Sequence, residues 1–494
     1  MNYNLDVLKK EIDKYVYDAF KDYSPQKIKA SKAIHDTVLG TSFFEPFEIA
    51  LLDSPIVQRL RRISQTDIAS FVFPSGNHNR FEHTLGVATI AGKFADAILR
   101  KNDELFKELD LSPEYILQHC RVAAILHDVG HGPFSHLTEQ VYASHFDYII
   151  KNEERFSGAS PHEILSFMIA TSEKMRDFNS KTIEADYGVK IDLSLVGDII
   201  VGFSKDKPNK TFMVEIINGA FDADKLDYML RDAHSTGVAM SLDISRLLHT
   251  MDVVRANNKI RLCIDISGTI ALEQIVFNKM TLFTTIYHHH KVRATGCLLK
   301  SLFVNNDLFK LPHNYLYYTD TDVWASDWNK QCDTLIKYLK NRNLPKRALA
   351  ISSRTITQDS INGLKDIMNL IDYPDLLKDV ENEIVAQIKR LYGGLDLTGN
   401  VWIDIPKSPK FKEASTCIIK NFSTSAPFLT LTEIFPVDQW VEAFTQNKWS
   451  AYVFSMPQYC EQVSSVSKMV LEDIFDVKFN EYAKLICKLQ NSDS

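Results

Sequence analysis

The chain has 494 residues, of which 45% are hydrophobic and 24% charged, and its net charge is −7 at pH 7. This length allows one large core or two to three smaller ones, and the composition is ordinary for a globular protein. The negative balance leaves no evident basic stripe for nucleic acid. The seven cysteines are scattered and never form CxxC, which argues against a disulfide framework.

The N-terminal segment MNYNLDVLKKEIDKY is charged throughout and lacks the apolar stretch of a signal peptide. No run approaches the roughly 18 apolar residues that a membrane span requires. These features predict a cytoplasmic protein without a membrane partner.

Apolar periodicity predicts a mainly α fold for the first 300 residues. At the start of the helix predicted over 160–174, Ser160 is the expected N-cap, Pro161 the first helical residue and Glu163 the capping-box partner. The clearest predicted helices cover 81–101, 160–174, 223–236 and 271–303, and strand-like alternation covers 261–267, 401–406 and 415–422.

Three regions are expected along the chain. An N-terminal extension over 1–30 precedes a helical catalytic body over 31–330, and a mixed α/β C-terminal region over 331–494 serves assembly or regulation. The change to a more charged sequence with mixed helix and strand patterns near residue 331 marks the second boundary.

The stretch RVAAILHDVGHGPFSH (121–136) places His127 and Asp128 directly behind an apolar helical run. A lone His-Asp pair is more often structural, because buried charges are usually paired. Here His83 begins a second helix and FDADKLDYMLRD (221–232) supplies acids on a third. Two histidines and two aspartates would form an N2O2 shell for a divalent ion such as iron, manganese, nickel or zinc.

The order H…HD…D resembles the signature of the HD-domain phosphohydrolases. The surrounding stretches are similar to the deoxynucleoside triphosphate triphosphohydrolases of that superfamily, from about residue 30 to about residue 300. The stretches that carry this resemblance are SPIVQRLRRISQ, FVFPSGNHNRFEHTLGV, LHDVGHGPFSH and DADKLDYMLRDAHSTGV. The resemblance implies an HD-domain helical core with a divalent metal (Mn, Fe, Mg, Zn or Ni). It implies these metal ligands: His83, His127, Asp128 and Asp224, the acid that directly precedes the lysine.

The resemblance also implies a substrate shell. Arg80 and Lys225 would reach phosphates, because a guanidinium and an ammonium both pair with phosphate oxygens. Tyr228 and Asp232 match positions that contact the sugar, and Gln65 matches the residue that meets the deoxyribose 3′-hydroxyl.

A tyrosine beneath the sugar is how the family excludes a 2′-hydroxyl. The stretch TIYHHHKVRA leaves the register open by one residue, so either Tyr287 or His288 stands there. Where the family has an arginine before that position, this chain has Lys279, which keeps the charge and loses the guanidinium fork.

Three further histidines match family positions near the scissile phosphate. His136 is the expected proton donor to the leaving sugar oxygen, and His131 and His162 would polarise phosphate oxygens. Helix capping or core hydrogen bonding is the alternative role for each.

A regulatory site is implied by four retained residue types. In activated family members, a nucleotide at a subunit interface is held by residues that match Lys32, Asp53, Gln58 and Arg61. The resemblance thus implies activation by GTP or a dNTP in a tetramer or hexamer. The alternative is that QRLRRI is simply an amphipathic helix.

The leading hypothesis is hydrolysis of dNTPs to deoxynucleoside and inorganic triphosphate. The alternatives are an HD phosphodiesterase or nucleotidase on cyclic or monophosphate nucleotides, and a non-catalytic nucleotide sensor. Control of the dNTP pool and antiviral depletion of dNTPs during phage infection both fit the leading hypothesis.

Overall fold

The computed structural model describes residues 4–326, 330–407, 411, 415–421 and 427–488. The chain divides into two compact units. The first comprises 1–279, 307–326 and 411–437, and the second comprises 280–306, 327–410 and 438–494. The predominantly helical fold with small mixed sheets confirms the predicted fold class. The described part of the predicted extension, residues 4–30, lies within the first unit, and the predicted domain boundaries stay a prediction.

The first unit is built from helices around the longest apolar one, α4, which packs against α6 and α14. Its helices are α1 (Leu5–Phe20), α2 (Pro46–Leu52), α3 (Pro55–Gln58), α4 (Arg80–Leu99), α5 (Asp103–Glu108), α6 (Pro113–Leu126), α7 (His136–Tyr142), α8 (Asp147–Asn152), α9 (Pro161–Ala170), α10 (Glu173–Phe178), α11 (Ala185–Tyr187), α12 (Leu193–Ile200), α13 (Thr211–Ile217), α14 (Ala223–Thr236), α15 (Ile244–Thr250), α16 (Thr269–Leu282, ending in the second unit), α18 (Asp320–Ala325) and α22 (Leu431–Ile434).

Two small sheets accompany these helices. An antiparallel hairpin pairs β1 (Lys32–Asp36) with β2 (Gly40–Phe44). A four-stranded sheet has the order β3 (Met251–Ala256), β4 (Lys259–Asp265), β7 (Ile418–Lys420) and β8 (Phe428–Thr430), with β4 and β7 parallel.

The second unit has its own apolar core around an antiparallel sheet. The strand order is β5 (Lys346–Ile351), β9 (Ala451–Ser455) and β6 (Val401–Asp404). Its helices are α17 (His290–Val304), α19 (Lys330–Lys340), α20 (Ile361–Asn369), α21 (Pro374–Leu391), α23 (Val437–Lys448, beginning in the first unit), α24 (Cys460–Phe475) and α25 (Tyr482–Lys488).

Local sequence signals place several elements correctly. Ser160 and Glu163 form the predicted capping box at the start of α9, with Pro161 at its first position. Helix α14 begins after Asp222, whose side chain accepts a hydrogen bond from the Lys225 backbone, and ends at Gly237 in the left-handed region. The three predicted strands are present as β4, β6 and β7, each shorter or shifted by a few residues; residue 422 lies outside the described part.

The single helix predicted over 271–303 is wrong. The chain leaves α16 through a π-helical turn at Phe283–Tyr287, and His289 is the extended N-cap of α17. β-Branched residues in FTTIY weaken the helix there, and the His289 side chain accepts from the Lys291 backbone to begin a new one. His288 to His290 are therefore not consecutive positions of one helix.

Gly86 allows α4 and α14 to approach closely. A Cβ at this position would overlap the Asp227 carboxylate and the Arg231 guanidinium. We expect Gly86→Ala to lower the free energy of unfolding by about 2 kcal/mol, because overpacking outweighs the helix propensity of alanine. Denaturant unfolding of the protein, after a chelator has removed bound metal, measures this change in free energy. Gly92→Ala in the same helix is the matched control, since its nearest neighbour is the Arg121 side chain, which can shift. Equal stability of the two variants would contradict the expectation.

Candidate metal and phosphohydrolase site

Three elements bring the four predicted ligands together. His83 lies in the first turn of α4, His127 caps the C-terminus of α6 and precedes Asp128, and Asp224 lies in the first turn of α14. Nε2 of His83 lies 2.9 Å from Oδ1 of Asp224 and 3.7 Å from Oδ2 of Asp128. Nε2 of His127 lies 3.4 Å from Oδ1 of Asp128 and 3.8 Å from Oδ1 of Asp224.

The two imidazoles present unused nitrogens to these carboxylates. His83 and His127 are buried, and Nε2 of each faces a carboxylate without a well-directed hydrogen bond among the described residues. Their other nitrogens are engaged: Nδ1 of His127 donates to the Ala124 carbonyl at 2.7 Å, and Nδ1 of His83 contacts the Asp227 carboxylate at 2.8 Å. Because two imidazole nitrogens and two carboxylates converge here within about 4 Å, the arrangement fits a divalent cation bound by all four side chains.

The shifted pKa values of Asp128 and His83 are also consistent with a bound cation. Burial would raise the pKa of Asp128, but the Arg80 guanidinium and the neighbouring imidazoles hold it well below its usual range. Burial would lower the pKa of His83, but the carboxylates of Asp224 and Asp227 raise it to about 10. A cation bound here would therefore displace a proton from His83.

A buried chain of ion pairs orients His83. Arg231 binds both oxygens of Asp227 at 2.8 and 2.9 Å and reaches Oδ2 of Asp36 in β1 at 2.8 Å. Asp227 in turn accepts from His83, so a carboxylate fixes the ring that faces the metal site. Sequence reasoning missed these supporting residues, although the i, i+4 spacing of Asp227 and Arg231 was a readable signal.

Arg80 and Lys225, predicted to bind phosphates, already have protein partners. Arg80 is buried; it donates to Asp128 and, through Nε, to Oγ of Ser135 at 2.6 Å, while one terminal nitrogen lacks a partner. Nζ of Lys225 donates to Asp222 and to the Gly219 carbonyl.

Two of the predicted sugar contacts, Asp232 and Gln65, share His78 as a hydrogen-bond partner. Asp232 contacts Nε2 of His78 at 2.7 Å, and the backbone of Gln65 donates to the His78 carbonyl at 3.0 Å. Oε1 of Gln65 is buried without a hydrogen-bond partner in the described structure, and Tyr228 is half-buried on α14. His78 was not singled out from the sequence.

The remaining predicted substrate residues are Lys279, in the first unit, and Tyr287 or His288, in the second unit. Nζ of Lys279 lies 5.0 Å from the centre of the Phe411 ring. Tyr287 and His288 belong to the second unit, at the end of the π-helical turn and directly after it.

The three predicted catalytic histidines lie together, and two of them contact Glu139, which sequence reasoning missed. Oε2 of Glu139 lies 3.0 Å from Nδ1 of His136 and 2.9 Å from Nδ1 of His162. His131 stacks on His162 with ring centres 3.9 Å apart, and its Nε2 lies 3.4 Å from Oδ1 of Asp128. The i, i+3 spacing of His136 and Glu139 on one helix was the available signal.

The loop before α7 has two consecutive non-glycine residues in the left-handed region, Phe134 (φ 54°) and Ser135 (φ 51°). Asp320 accepts from the Phe134 backbone at 2.7 Å and from the Ser64 backbone at 2.9 Å. Such a conformation costs energy and persists only where its surroundings hold it. Asp320 therefore holds the loop that positions Ser135 against Arg80.

Burial would lower the pKa of His162, but the Glu139 carboxylate raises it to about 9. The free His value is about 6.5, so this pair stabilises the fold fully below pH 6.5, and the contribution disappears as the pH rises through 9. We expect the free energy of unfolding of the metal-free wild type to fall by about 3 kcal/mol more than that of Glu139→Gln between pH 6 and pH 9.5. Denaturant unfolding at both pH values measures this; parallel losses would contradict it.

The predicted nucleotide-activator residues are distributed around α2 and α3. Lys32 begins β1, and Asp53 caps the C-terminus of α2. Nε of Arg61 donates to Oε1 of Gln58 at 2.8 Å, and the guanidinium lies 3.7 Å from the centre of the Phe81 ring. The contacts join Gln58 to Arg61, and the activator site stays a prediction.

Comparison with known proteins matches two domain families. Residues 80–231 match the HD domain, and residues 242–482 match the HD-associated region. An uncharacterised protein of Methanocaldococcus jannaschii is 26% identical over 427 residues, covering 86% of this chain and 79% of the relative. Within the described residues, no helix has the length and apolar character to cross a bilayer.

Two characterised relatives are enzymes. The deoxynucleoside triphosphate triphosphohydrolase SAMHD1 of Homo sapiens is 27% identical over 382 residues, covering 73% of this chain and 57% of the relative. The homologous enzyme of Dictyostelium discoideum is 29% identical over 334 residues, covering 67% and 58%. The chain thus spans less than two thirds of these two relatives.

Proposed function

We propose that this chain, which carries an HD domain followed by an HD-associated region, is a metal-dependent hydrolase of dNTPs. Its homology to deoxynucleoside triphosphate triphosphohydrolases is the premise of this proposal. Its products would be the deoxynucleoside and inorganic triphosphate. The observation that carries the proposal is the convergence of the buried Nε2 atoms of His83 and His127 on the carboxylates of Asp128 and Asp224.

A divalent cation at this quartet would supply an activated water or polarise a phosphate oxygen. In the hydrolysis, a bond forms between water oxygen and the α-phosphorus, and the bond from that phosphorus to the sugar 5′-oxygen breaks. The leaving oxygen needs a proton, and His136, held by Glu139 on the solvent side, would donate it. Burial and the Arg80 charge hold the pKa of His131 well below its usual range, so it contributes as a neutral ring.

Positive groups would offset the charge on the triphosphate. The terminal nitrogen of Arg80 that lacks a protein partner is available to a phosphate oxygen. Lys225 would exchange its bonds with Asp222 and Gly219 for a second phosphate. Gln65, Tyr228 and Asp232 would contact the sugar.

Product analysis tests the proposal. Purified protein with Mn²⁺ or Mg²⁺ is incubated with each dNTP alone and with all four plus GTP, and the products are separated by ion-pair chromatography. Deoxynucleoside with inorganic triphosphate supports the proposal. Cleavage of only monophosphates or cyclic nucleotides would indicate a phosphodiesterase, and binding without turnover would indicate a sensor.

We expect His136→Ala to lower kcat about 10²- to 10⁴-fold with a smaller change in KM, because only the proton donor is removed. His145→Ala is the matched control: this half-buried histidine, nine residues on, contacts the Tyr142 carbonyl. Steady-state kinetics at pH 7 measure both variants. Equal kcat values for His136→Ala and the control would contradict the assigned role.

The proposal includes activation by GTP or a dNTP at Lys32, Asp53, Gln58 and Arg61 in a homo-oligomer. The bond between Gln58 and Arg61 supports a preformed polar pair on this surface. Turnover that occurs only in the nucleotide mixture, and not with single dNTPs, would identify this regulation.

A further inference from the structure

A second set of metal-ligating side chains lies beside the quartet. We call His131, His136, Glu139 and His162 the histidine–glutamate cluster. We propose that this cluster binds a second divalent metal ion, of the borderline-soft class that zinc represents. The inference goes beyond the proposed function and does not depend on the substrate of the enzyme.

The distances between donor atoms of the cluster are close to those in an occupied metal site. One potential ligand atom from each of the four residues lies within 4.8 Å of the other three. Oε2 of Glu139 already lies 2.9 and 3.0 Å from Nδ1 of His162 and His136. Zinc ligands at about 2.0–2.2 Å from the ion lie roughly 3.3 Å apart, so these three donors need little movement.

The donor chemistry favours zinc over magnesium or calcium. Three imidazoles and one carboxylate are a common tetrahedral zinc set, whereas magnesium and calcium prefer oxygen ligands. The cluster therefore differs from the quartet, whose two carboxylates also suit manganese and iron.

His131 supplies an independent argument. Its side chain is 0% exposed, Nδ1 has no hydrogen-bond partner among the described residues, and Nε2 lies 3.4 Å from Oδ1 of Asp128. A neutral imidazole has one N–H and one lone pair to satisfy; Asp128 can accept from the N–H, which leaves the lone pair on Nδ1 unpaired in the interior, and that is costly. A metal ion at the cluster would accept the lone pair.

The cluster also has an entry path. The His136 side chain is 57% exposed, whereas His131, Glu139 and His162 are largely buried. An ion can thus reach the buried donors from solvent beside His136. Because the same histidines are proposed to serve the reaction, occupancy of the cluster would inhibit hydrolysis by removing the proton donor.

Metal stoichiometry tests the inference without relying on activity. The full chain is stripped with chelator, and Zn²⁺ and Co²⁺ binding are measured by equilibrium dialysis, with the cobalt absorption spectrum as a second readout. We expect two equivalents in the wild type, with one giving the strong visible bands of four-coordinate cobalt. Glu139→Gln and His162→Asn, which change different helices, should each lose one equivalent, and Glu153→Gln should retain two.

The quartet variant His127→Ala/Asp128→Ala separates the two sites. If it keeps one equivalent with the four-coordinate cobalt spectrum, the cluster binds metal even should the chain hydrolyse no dNTP. One equivalent in the wild type and none in this variant would overturn the inference, as would two equivalents in a folded Glu139→Gln. The wild-type stoichiometry keeps the test valid if a variant fails to fold, because a single equivalent in the wild type would by itself contradict a second site.

Discussion

The double substitution His127→Ala/Asp128→Ala is expected to abolish metal binding at the quartet and to lower hydrolysis at least about 10³-fold. The reason is that a bound cation supplies several kcal/mol of stabilisation to the transition state, and each 1.36 kcal/mol is a factor of ten. The variant removes one of the two imidazoles and one of the two carboxylates that converge within 4 Å. Mn²⁺ equilibrium dialysis and product analysis together measure the effect.

A matched control keeps this result interpretable. Asp128 also accepts from the buried Arg80, so the double variant leaves that guanidinium with fewer partners. His145→Ala/Asp147→Ala makes the same chemical change at a half-buried histidine and an exposed aspartate outside the site. Circular dichroism verifies that both variants fold. Residual hydrolysis within tenfold of the wild type would show that the quartet is not the catalytic metal site.

The second large effect is expected from Asp227→Asn, which leaves all four proposed ligands in place. Asp227 is 0% exposed and joins His83 to Arg231. Loss of such a supporting carboxylate typically weakens metal affinity 10- to 100-fold, and we expect a decrease of about that size. Removing one charge of a buried ion pair also costs about 3 kcal/mol of folding free energy.

Mn²⁺ titration and denaturant unfolding measure the two parts of this prediction separately. Asp103→Asn is the control, because it breaks the exposed pair of Asp103 with Lys107 by the same substitution. The free energy of unfolding of the control should fall by less than about 1 kcal/mol, and its metal affinity should not change. A variant at Asp227 that loses stability but binds Mn²⁺ as the wild type does would show that the carboxylate supports only the fold.

The sequence predicts the parts of the site that depend on short motifs and helix starts. His83, His127 and Asp224 lie at helix ends, where capping and apolar periodicity determine their direction. The capping box at Ser160 likewise places His162 in the first turn of α9. These signals act over a few residues and are visible in one chain.

Long-range partners were not predictable in the same way. Asp36 reaches Arg231 from a strand 195 residues away, and Asp320 reaches Phe134 across 186 residues. No local pattern specifies such pairs, since they depend on packing between separate elements. The break between α16 and α17 was missed because the apolar periodicity continues through the π-helical turn.

The left-handed turn at Phe134 and Ser135 has a consequence for the order in which the protein becomes active. The turn is held by Asp320, which enters a growing chain 186 residues after Phe134. A fragment ending at residue 231 contains every proposed quartet ligand and the whole HD match, yet lacks this carboxylate. During synthesis, the loop before α7 therefore reaches its final conformation only after most of the first unit has been translated.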